Sequence, residues 1–242
     1  MQAPGRPDLC CDEASIDLVV LSTEWRELEK QANNTVFLSW EWIGVWLSVY
    51  QPDAKVIRVT DRGRLVGLGI LSRSVERRHG LLYSRCLNLH QTGRDAEDQI
   101  WIEYNGFLAA RGYEASVAVA CLNHLLRSEP DWDEFIIGAA DADYVDSLSE
   151  ATGLVEHVRW EAPSFGVDLA SLRSKGQSYL GSLSGNSRHQ IRRSLRRYEE
   201  KGRVYLERPT TMEEADITWS AIAPFHLARW GSEMGESGFA NP

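Results

Sequence analysis

Polar side chains gather at one predicted strand end, where their types suit work on an amine or a hydroxyl group. Glu103, Tyr104 and Asn105 stand where a strand that starts at residue 99 should end, after the acidic loop 94–98. Carboxylate, phenol and amide groups in that position can orient an acceptor group or remove its proton. The alternative interpretation is an acidic surface loop without a chemical role.

A second polar group is predicted on a helix near the end of the chain. His226, Arg229 and Trp230 stand at i, i+3 and i+4, a spacing that brings their side chains onto one helical face. An imidazole, a guanidinium and an indole together suit a polar pocket with an aromatic wall. A structural histidine, hydrogen-bonded within the fold, is the competing interpretation. The helix should span 211–234, with a break or kink at Pro224.

The strongest helical signal is also the most highly charged stretch, residues 179–202. Asn186 or Ser187 should cap the helix, and an apolar stripe runs along it at i, i+4 and i+7. This stripe consists of Ile191, Leu195 and Tyr198. The other faces carry arginines, so that residues 185–203 have a net charge of +5 in a chain of net charge −9.

Three interpretations of this arginine-rich helix stay open. The first is a solvated face. The second is an anion site for a phosphorylated or sugar-nucleotide ligand, with Arg188, Arg192 and Arg193 as the candidate ligands. The third is nucleic acid, which we rank lowest because an acidic chain lacks the wider basic surface that such binding needs.

One pattern has the spacing of a phosphate-binding loop, since Arg64, Gly67 and Gly69 follow R-x-x-G-x-G. Such a loop needs free backbone N–H groups at the start of a helix. Here the pattern lies in the predicted second strand of a hairpin that turns at Gly63, so we expect no phosphate site. The histidines and cysteines show no metal-ligand spacing, and no nucleophile elbow occurs.

Composition narrows the class of protein. The chain has 242 residues, of which 43% are hydrophobic and 25% charged, as is ordinary for a soluble globular protein. Its acidity argues against general binding to nucleic acid or anionic membranes. Four cysteines without C-x-x-C spacing indicate a reduced, cytoplasmic protein without a metal site. Apolar runs are too short for stable membrane insertion.

Alternating strands and helices, several joined by tight turns, should position these residues on a mixed sheet. Residues 1–15 are predicted as a disordered tail. The predicted strands are 16–20, 56–60, 64–76, 81–89, 99–109, 133–139, 154–160, 164–169 and 204–208. The predicted helices are 22–32, 39–50, 114–127, 143–152, the arginine-rich helix and 211–234. The helix at 39–50 should be capped by Ser39 and bury Trp42, Val45, Trp46 and Val49.

The order of several segments resembles the CelD/FemAB-like branch of the GNAT acyltransferase superfamily. The segments are FLSWEWIGVW at 37–46, GRLVGLGIL at 63–71, IEYNGF at 102–107, the arginine-rich helix at 179–202 and FHLARW at 225–230. This family resembles two tandem GNAT-like folds joined through an arginine-rich helical region. The resemblance therefore implies an α/β fold, with a complete GNAT-like domain at 16–165 and the start of a second at 166–242.

The resemblance also implies an activity. It is the direct transfer of an acyl group, with acetyl-CoA as co-substrate and no metal, to an amine or hydroxyl of a cell-envelope or polysaccharide-related acceptor. In the family the donor site belongs to the second fold, and its phosphate loop maps onto no residue of this sequence. The two polar groups described above are the expected acceptor contacts, and a protein partner is expected to cover the incomplete second domain.

A hypothesis of a different class stays open. The chain would then be a non-catalytic binding or scaffold module in a polysaccharide-synthesis assembly, and the arginine-rich helix would bind an anionic partner. Binding of acetyl-CoA distinguishes the enzyme from the module.

Overall fold

A computed structural model describes residues 7–33, 35–99, 102–128, 131–230 and 239. The chain divides into two compact units, Met1–His157 and Val158–Pro242. The first unit contains the β-sheet. The described elements of the second unit are all helices.

The first unit is a mixed α/β fold. Its strands are β1 (Leu9–Ser15), β2 (Ala54–Asp61), β3 (Arg64–Arg78), β4 (Leu82–Leu89), β5 (Leu108–Ala109) and β6 (Glu134–Ile137). Its helices are α1 (Leu18–Glu29), α2 (Trp40–Tyr50), α3 (Glu114–Ser128) and α4 (Ala142–Thr152). The sheet order is β1-β2-β3-β4-β6, with β5 paired to β3. Because β4 and β6 are parallel and the other pairs antiparallel, the predicted mixed sheet is confirmed.

The hairpin of β2 and β3 confirms the prediction from the turn at Gly63. Arg62 and Gly63 both have positive φ, at 51° and 81°, as a tight two-residue hairpin turn requires. The glycines of the R-x-x-G-x-G pattern lie within β3. A Cβ built on Gly67 would come within 3.0 Å of Val117 on α3, and one on Gly69 would meet the ring of Phe107. These glycines therefore allow close packing on the sheet and form no phosphate loop.

The start of the chain differs from the prediction. Leu9–Ser15 pairs with β2 along its whole length, so the predicted disordered tail is wrong for these residues; residues 1–6 lie outside the described part. The predicted strand at 16–20 is also wrong, because α1 begins at Leu18. The carboxylate of Asp17 accepts hydrogen bonds from the backbone N–H groups of Val19 and Val20, and this cap outweighs the β-propensity of the two valines.

Helix α2 begins where the sequence predicted, since the Ser39 hydroxyl accepts from the backbone N–H of Trp42. Its buried face, however, is formed by Ile43 and Leu47. Val45 and Val49, predicted to be buried, are 59% and 62% exposed. A helix this apolar on several sides does not reveal from spacing alone which side meets the core.

Replacing Ser39 by Ala is expected to lower the free energy of unfolding by about 1 kcal/mol, because an N-terminal N–H of α2 loses its acceptor. Ser48→Ala is the matched control, since the Ser48 hydroxyl is exposed and only donates to the Val45 carbonyl within the same helix. Urea unfolding of both variants measures the effect. Equal stability of the two variants would show that the cap contributes nothing.

Further along, the predicted strand over 99–109 is wrong for most of its length. Only Leu108–Ala109 pairs with β3, residues 102–107 are irregular, and residues 100–101 lie outside the described part. Tyr104 has a φ of 53°, which is incompatible with a strand. The chain therefore turns back on itself before it reaches the sheet.

The second unit is helical over its described length. Its helices are α5 (Leu169–Ser174), α6 (Tyr179–Ser182), α7 (Gly185–Glu199) and α8 (Met212–Trp230). The strands predicted at 154–160, 164–169 and 204–208 do not form, because these segments have no strand to pair with among the described residues. Helix α8 runs through Pro224 without a break. No described helix of the chain combines the length and the apolar character needed to cross a membrane.

Helix α7 is the predicted arginine-rich helix, but its cap lies earlier than predicted. Ser184, rather than Asn186 or Ser187, accepts the hydrogen bond from the backbone N–H of Ser187. Within this unit Leu195 and Tyr198 of the predicted apolar stripe are exposed.

Candidate functional site

The two parallel strands of the sheet end side by side. Leu89 of β4 pairs with Ile137 of β6, and the chain continues as His90 and Gln91 after β4 and as Gly138 after β6. In α/β sheets, ligands bind in the crevice beyond the carboxyl ends of parallel strands. We refer to this region, formed by His90, Gln91, Asn105, Gly138 and Ala139, as the carboxyl edge.

His90 is held in one orientation at the carboxyl edge. Its side chain is buried, with only 2% exposed, and its ring packs edge-on against Trp25 at a centroid distance of 5.6 Å. The amide nitrogen of Asn105 donates to the Leu89 carbonyl at 2.8 Å, which directs the amide oxygen towards His90. That oxygen lies 3.0 Å from Nδ1 of His90, so Nδ1 carries the proton and donates. The Nε2 atom is therefore an acceptor.

Burial also fixes the charge of this imidazole. Desolvation lowers the pKa of His90 to about 4, and the hydrogen bond to Asn105 opposes this only in part. His90 is consequently neutral at pH 7. A neutral imidazole with a fixed tautomer can accept a hydrogen bond through Nε2 from a ligand N–H group.

Two buried acceptor atoms at the carboxyl edge lack a donor among the described residues, namely Nε2 of His90 and Oε1 of Gln91. Gly138 makes room for the second, since a Cβ at this position would lie 2.6 Å from Oε1 of Gln91. Buried polar atoms are nearly always hydrogen-bonded in folded proteins. Two unpaired acceptors side by side in the sequence mark this edge as a place where a ligand can supply donors.

Unusual backbone conformations meet at the same place. His90, Tyr104 and Ala139 have φ values of 54°, 53° and 46°, in the left-handed region that side chains disfavour. The backbone N–H of Asn105 donates to the carbonyl of Ala139 at 3.4 Å, which joins two of these turns. Strained backbone of this kind persists where the surrounding structure fixes it, and it concentrates at functional sites.

A tyrosine adjoins the carboxyl edge from α4. Asp141 caps this helix and places Tyr144 in its first turn. The phenol oxygen accepts from the backbone N–H of Phe107 at 3.4 Å and lies beside Gly106, next to Asn105 in the chain. Burial raises the pKa of Tyr144, so its hydroxyl stays protonated at neutral pH and can donate a hydrogen bond.

The strand-end residues predicted to contact an acceptor divide into two kinds. Asn105 is as deeply buried as His90 and is bonded to this histidine and to Leu89, so it positions the imidazole. A contact from Asn105 to an acceptor stays a prediction. Glu103 and Tyr104 are exposed in the preceding turn. A role for these two in acceptor binding stays a prediction.

The side chains of His226, Arg229 and Trp230, the second polar group predicted from the sequence, do come together on α8. The guanidinium of Arg229 lies 4.9 Å from the centre of the Trp230 ring, and the ring of His226 lies 6.4 Å from it. The His226 ring also packs near Phe239 at 5.2 Å. The geometry thus has the polar and stacking groups that we predicted, while acceptor binding by them stays a prediction.

The candidate anion ligands lie on α7. Arg192 and Arg193 are exposed, and Arg188 is partly buried with its guanidinium donating to the Gly181 carbonyl at 3.5 Å. Their role in binding an anion stays a prediction. Within the described ranges, no group of three or more His, Cys, Asp or Glu side chains is placed to hold a metal ion.

Comparisons with known proteins give distant likenesses only. No protein-family model matches the chain, and no curated protein matches it. The chain is similar to a solved structure of a probable acetyltransferase, with 13% identity over 66% of this chain and 98% of that one and a TM-score of 0.41. It is also similar to an aminoglycoside antibiotic 6'-N-acetyltransferase from Acinetobacter haemolyticus, with 15% identity over 66% of this chain and 99% of that one and a TM-score of 0.39. A ribosomal-protein-alanine N-acetyltransferase from Brucella melitensis has 14% identity over 65% of this chain and 99% of its own, with a TM-score of 0.36.

Sequence reasoning missed His90, Gln91 and Tyr144. None of them belongs to a motif with recognisable spacing. The available signal was the position of His90 and Gln91 directly after the predicted strand 81–89, since polar residues beyond a strand's carboxyl end are frequent ligand contacts.

Proposed function

We propose that this chain transfers an acyl group from acetyl-CoA to an amine, and that the carboxyl edge of the first unit is the site. The observation that carries the proposal is the pair of unpaired buried acceptors, Nε2 of His90 and Oε1 of Gln91, among the described residues. A ligand that satisfies them must bring hydrogen-bond donors. The amide groups of the pantetheine arm of acetyl-CoA and an amine acceptor both carry N–H donors.

The proposed reaction is a direct displacement. The amine nitrogen attacks the thioester carbonyl, a C–N bond forms, and the C–S bond breaks as the thiolate leaves. The hydroxyl of Tyr144 donates a hydrogen bond to the departing sulfur and stabilises the negative charge that develops there. The attacking nitrogen loses its proton to solvent, the thiolate takes one up from solvent, and neutral His90 orients the amine through its Nε2 acceptor.

The acceptor follows from the resemblance alone and is the finer part of the proposal. It is an amine or hydroxyl of a cell-envelope or polysaccharide-related compound, contacted by the exposed side chains of Glu103 and Tyr104, which precede Asn105. This proposal puts the donor in the first unit, whereas the resemblance led us to expect it in a second GNAT-like fold.

Tyr144→Phe is expected to lower turnover about 100-fold, the usual effect of losing one hydrogen bond to the charge that develops in the transition state, while acetyl-CoA binding stays within a factor of about two. Calorimetry on the whole chain measures binding, and release of free CoA thiol with glucosamine as the acceptor probe measures turnover. Tyr113→Phe is the matched control, because its hydroxyl bonds to Asp61 and not at the carboxyl edge.

Two results would contradict the proposal. Equal turnover of the Tyr144→Phe and Tyr113→Phe variants would exclude Tyr144 as the hydrogen-bond donor to the departing sulfur. Failure of the folded wild-type protein to bind acetyl-CoA would remove the donor site altogether. The second result would favour the non-catalytic module, in which the exposed Arg192 and Arg193 would contact an anionic ligand.

A further inference from the structure

A cleft of about 400 Å³ lies between the edge strand β1 and helix α3. Cys11 of β1 and Asn123, His124 and Arg127 of α3 are among the residues that line it. The proposed transfer reaction uses none of these residues. A thiol next to a cation in an accessible cleft has the surroundings of an oxidation-sensitive cysteine.

The cleft has a fixed shape because one carboxylate ties its two walls together. Glu13 on β1 accepts from Ser128 at 3.3 Å and lies 3.1 Å from Nε2 of His124, both on α3. Lys55 of the neighbouring strand contacts the same carboxylate at 3.4 Å. Residues 11 and 13 share one face of β1, so these contacts also direct Cys11 towards α3.

Cys11 packs against the apolar cluster that contains Cys121 of α3. Cys121 is fully buried, whereas Cys11 is only partly buried and lines the cleft. A hydrogen bond from Cys121 lowers the pKa of Cys11, and the charge of Arg127 acts in the same direction. Burial raises the pKa of Cys121, so its thiol stays protonated and acts as the donor. The pair thus combines an accessible thiol of lowered pKa with a sheltered second thiol.

We propose that Cys11 is an oxidation site for a small peroxide and that Cys121 resolves the product into a disulfide between β1 and α3. The Cys11 thiolate attacks one peroxide oxygen, the O–O bond breaks, and the departing hydroxide takes up a proton to form water. The sulfur of Cys121 then attacks the sulfenic acid of Cys11, an S–S bond forms, and a second water leaves. The two thiols lose two electrons in all, and the peroxide gains them.

The test uses hydrogen peroxide on the full chain, followed by peptide mass spectrometry without reduction. We expect one cross-linked peptide pair, joining the segment that contains residues 10–11 to the segment that contains Cys121. Cys10→Ser is the matched control and should retain the cross-link, because residue 10 points to the other face of β1. Cys11→Ser should lower the yield of the cross-linked peptide pair at least tenfold.

A second variant keeps the test decisive if Cys11→Ser proves unstable. In Cys121→Ser the sulfenic acid has no resolving thiol, so dimedone should label Cys11 and leave Cys10 largely unlabelled. Arg127→Gln should slow cross-linking several-fold, since it removes the nearby positive charge. Loss of the cross-link in Cys10→Ser, or absence of both cross-link and dimedone adduct at Cys11, would overturn the proposal.

Discussion

Acidification from pH 7 to pH 4 is expected to lower the free energy of unfolding by about 3 kcal/mol through His90 alone. The imidazole has a pKa of about 4 in the folded protein and an ordinary value near 6.5 when the chain unfolds. The unfolded chain therefore binds the proton more readily. Stability from neutral, buried His90 is complete above about pH 6.5 and is lost progressively as the pH falls towards 4.

Urea unfolding at a series of pH values measures this effect against two variants. His90→Gln removes the titrating group, so its stability should fall less steeply than that of the wild type over the same range. His157→Gln is the matched control, because His157 is an exposed histidine of the same unit. A His90→Gln curve parallel to the wild type would contradict the buried neutral imidazole.

Gly69→Val is expected to lower the free energy of unfolding by about 3 kcal/mol, the upper range for overpacking a core. A Cβ at this position would lie 2.5 Å from Cδ1 of Phe107 and 2.7 Å from its Cε1. That ring cannot move aside easily, because it stacks on Phe135 at a centroid distance of 6.2 Å. The valine must therefore displace the aromatic pair or the strand itself.

Val75→Ala is the control for Gly69→Val, since it lies on the same strand with 64% of its surface exposed. The free energy of unfolding of Val75→Ala should stay within about 0.5 kcal/mol of the wild-type value. The two variants can be compared by thermal or urea unfolding. If Gly69→Val were as stable as Val75→Ala, Gly69 would have no packing role. The conclusion that this glycine serves close packing and no phosphate loop would then be contradicted.

Local signals predicted much of the first unit correctly. The hairpin followed from Gly63, and the start of α2 followed from its cap at Ser39. Each of these features depends on residues that are close together in the sequence. Propensity and capping therefore sufficed to predict them.

Features that depend on distant residues were not predictable in this way. Strand β1 exists because β2, some 40 residues later, offers it an edge. The role of Asn105 depends on His90 and Leu89, which lie 15 and 16 residues earlier in the chain. The sequence showed that a polar group follows a strand, but nothing in its spacing indicated that the amide would be buried against a histidine.

The most direct test of the proposed site is hydrogen–deuterium exchange of the whole chain with and without saturating acetyl-CoA. We expect slower exchange in the segments 90–99 and 138–144, which flank the carboxyl edge, because the ligand would give His90 and Gln91 the donors they lack. Exchange in β1 and α7 should stay unchanged. Slower exchange confined to α7, or no change in any segment, would contradict the assignment of the carboxyl edge as the acetyl-CoA site.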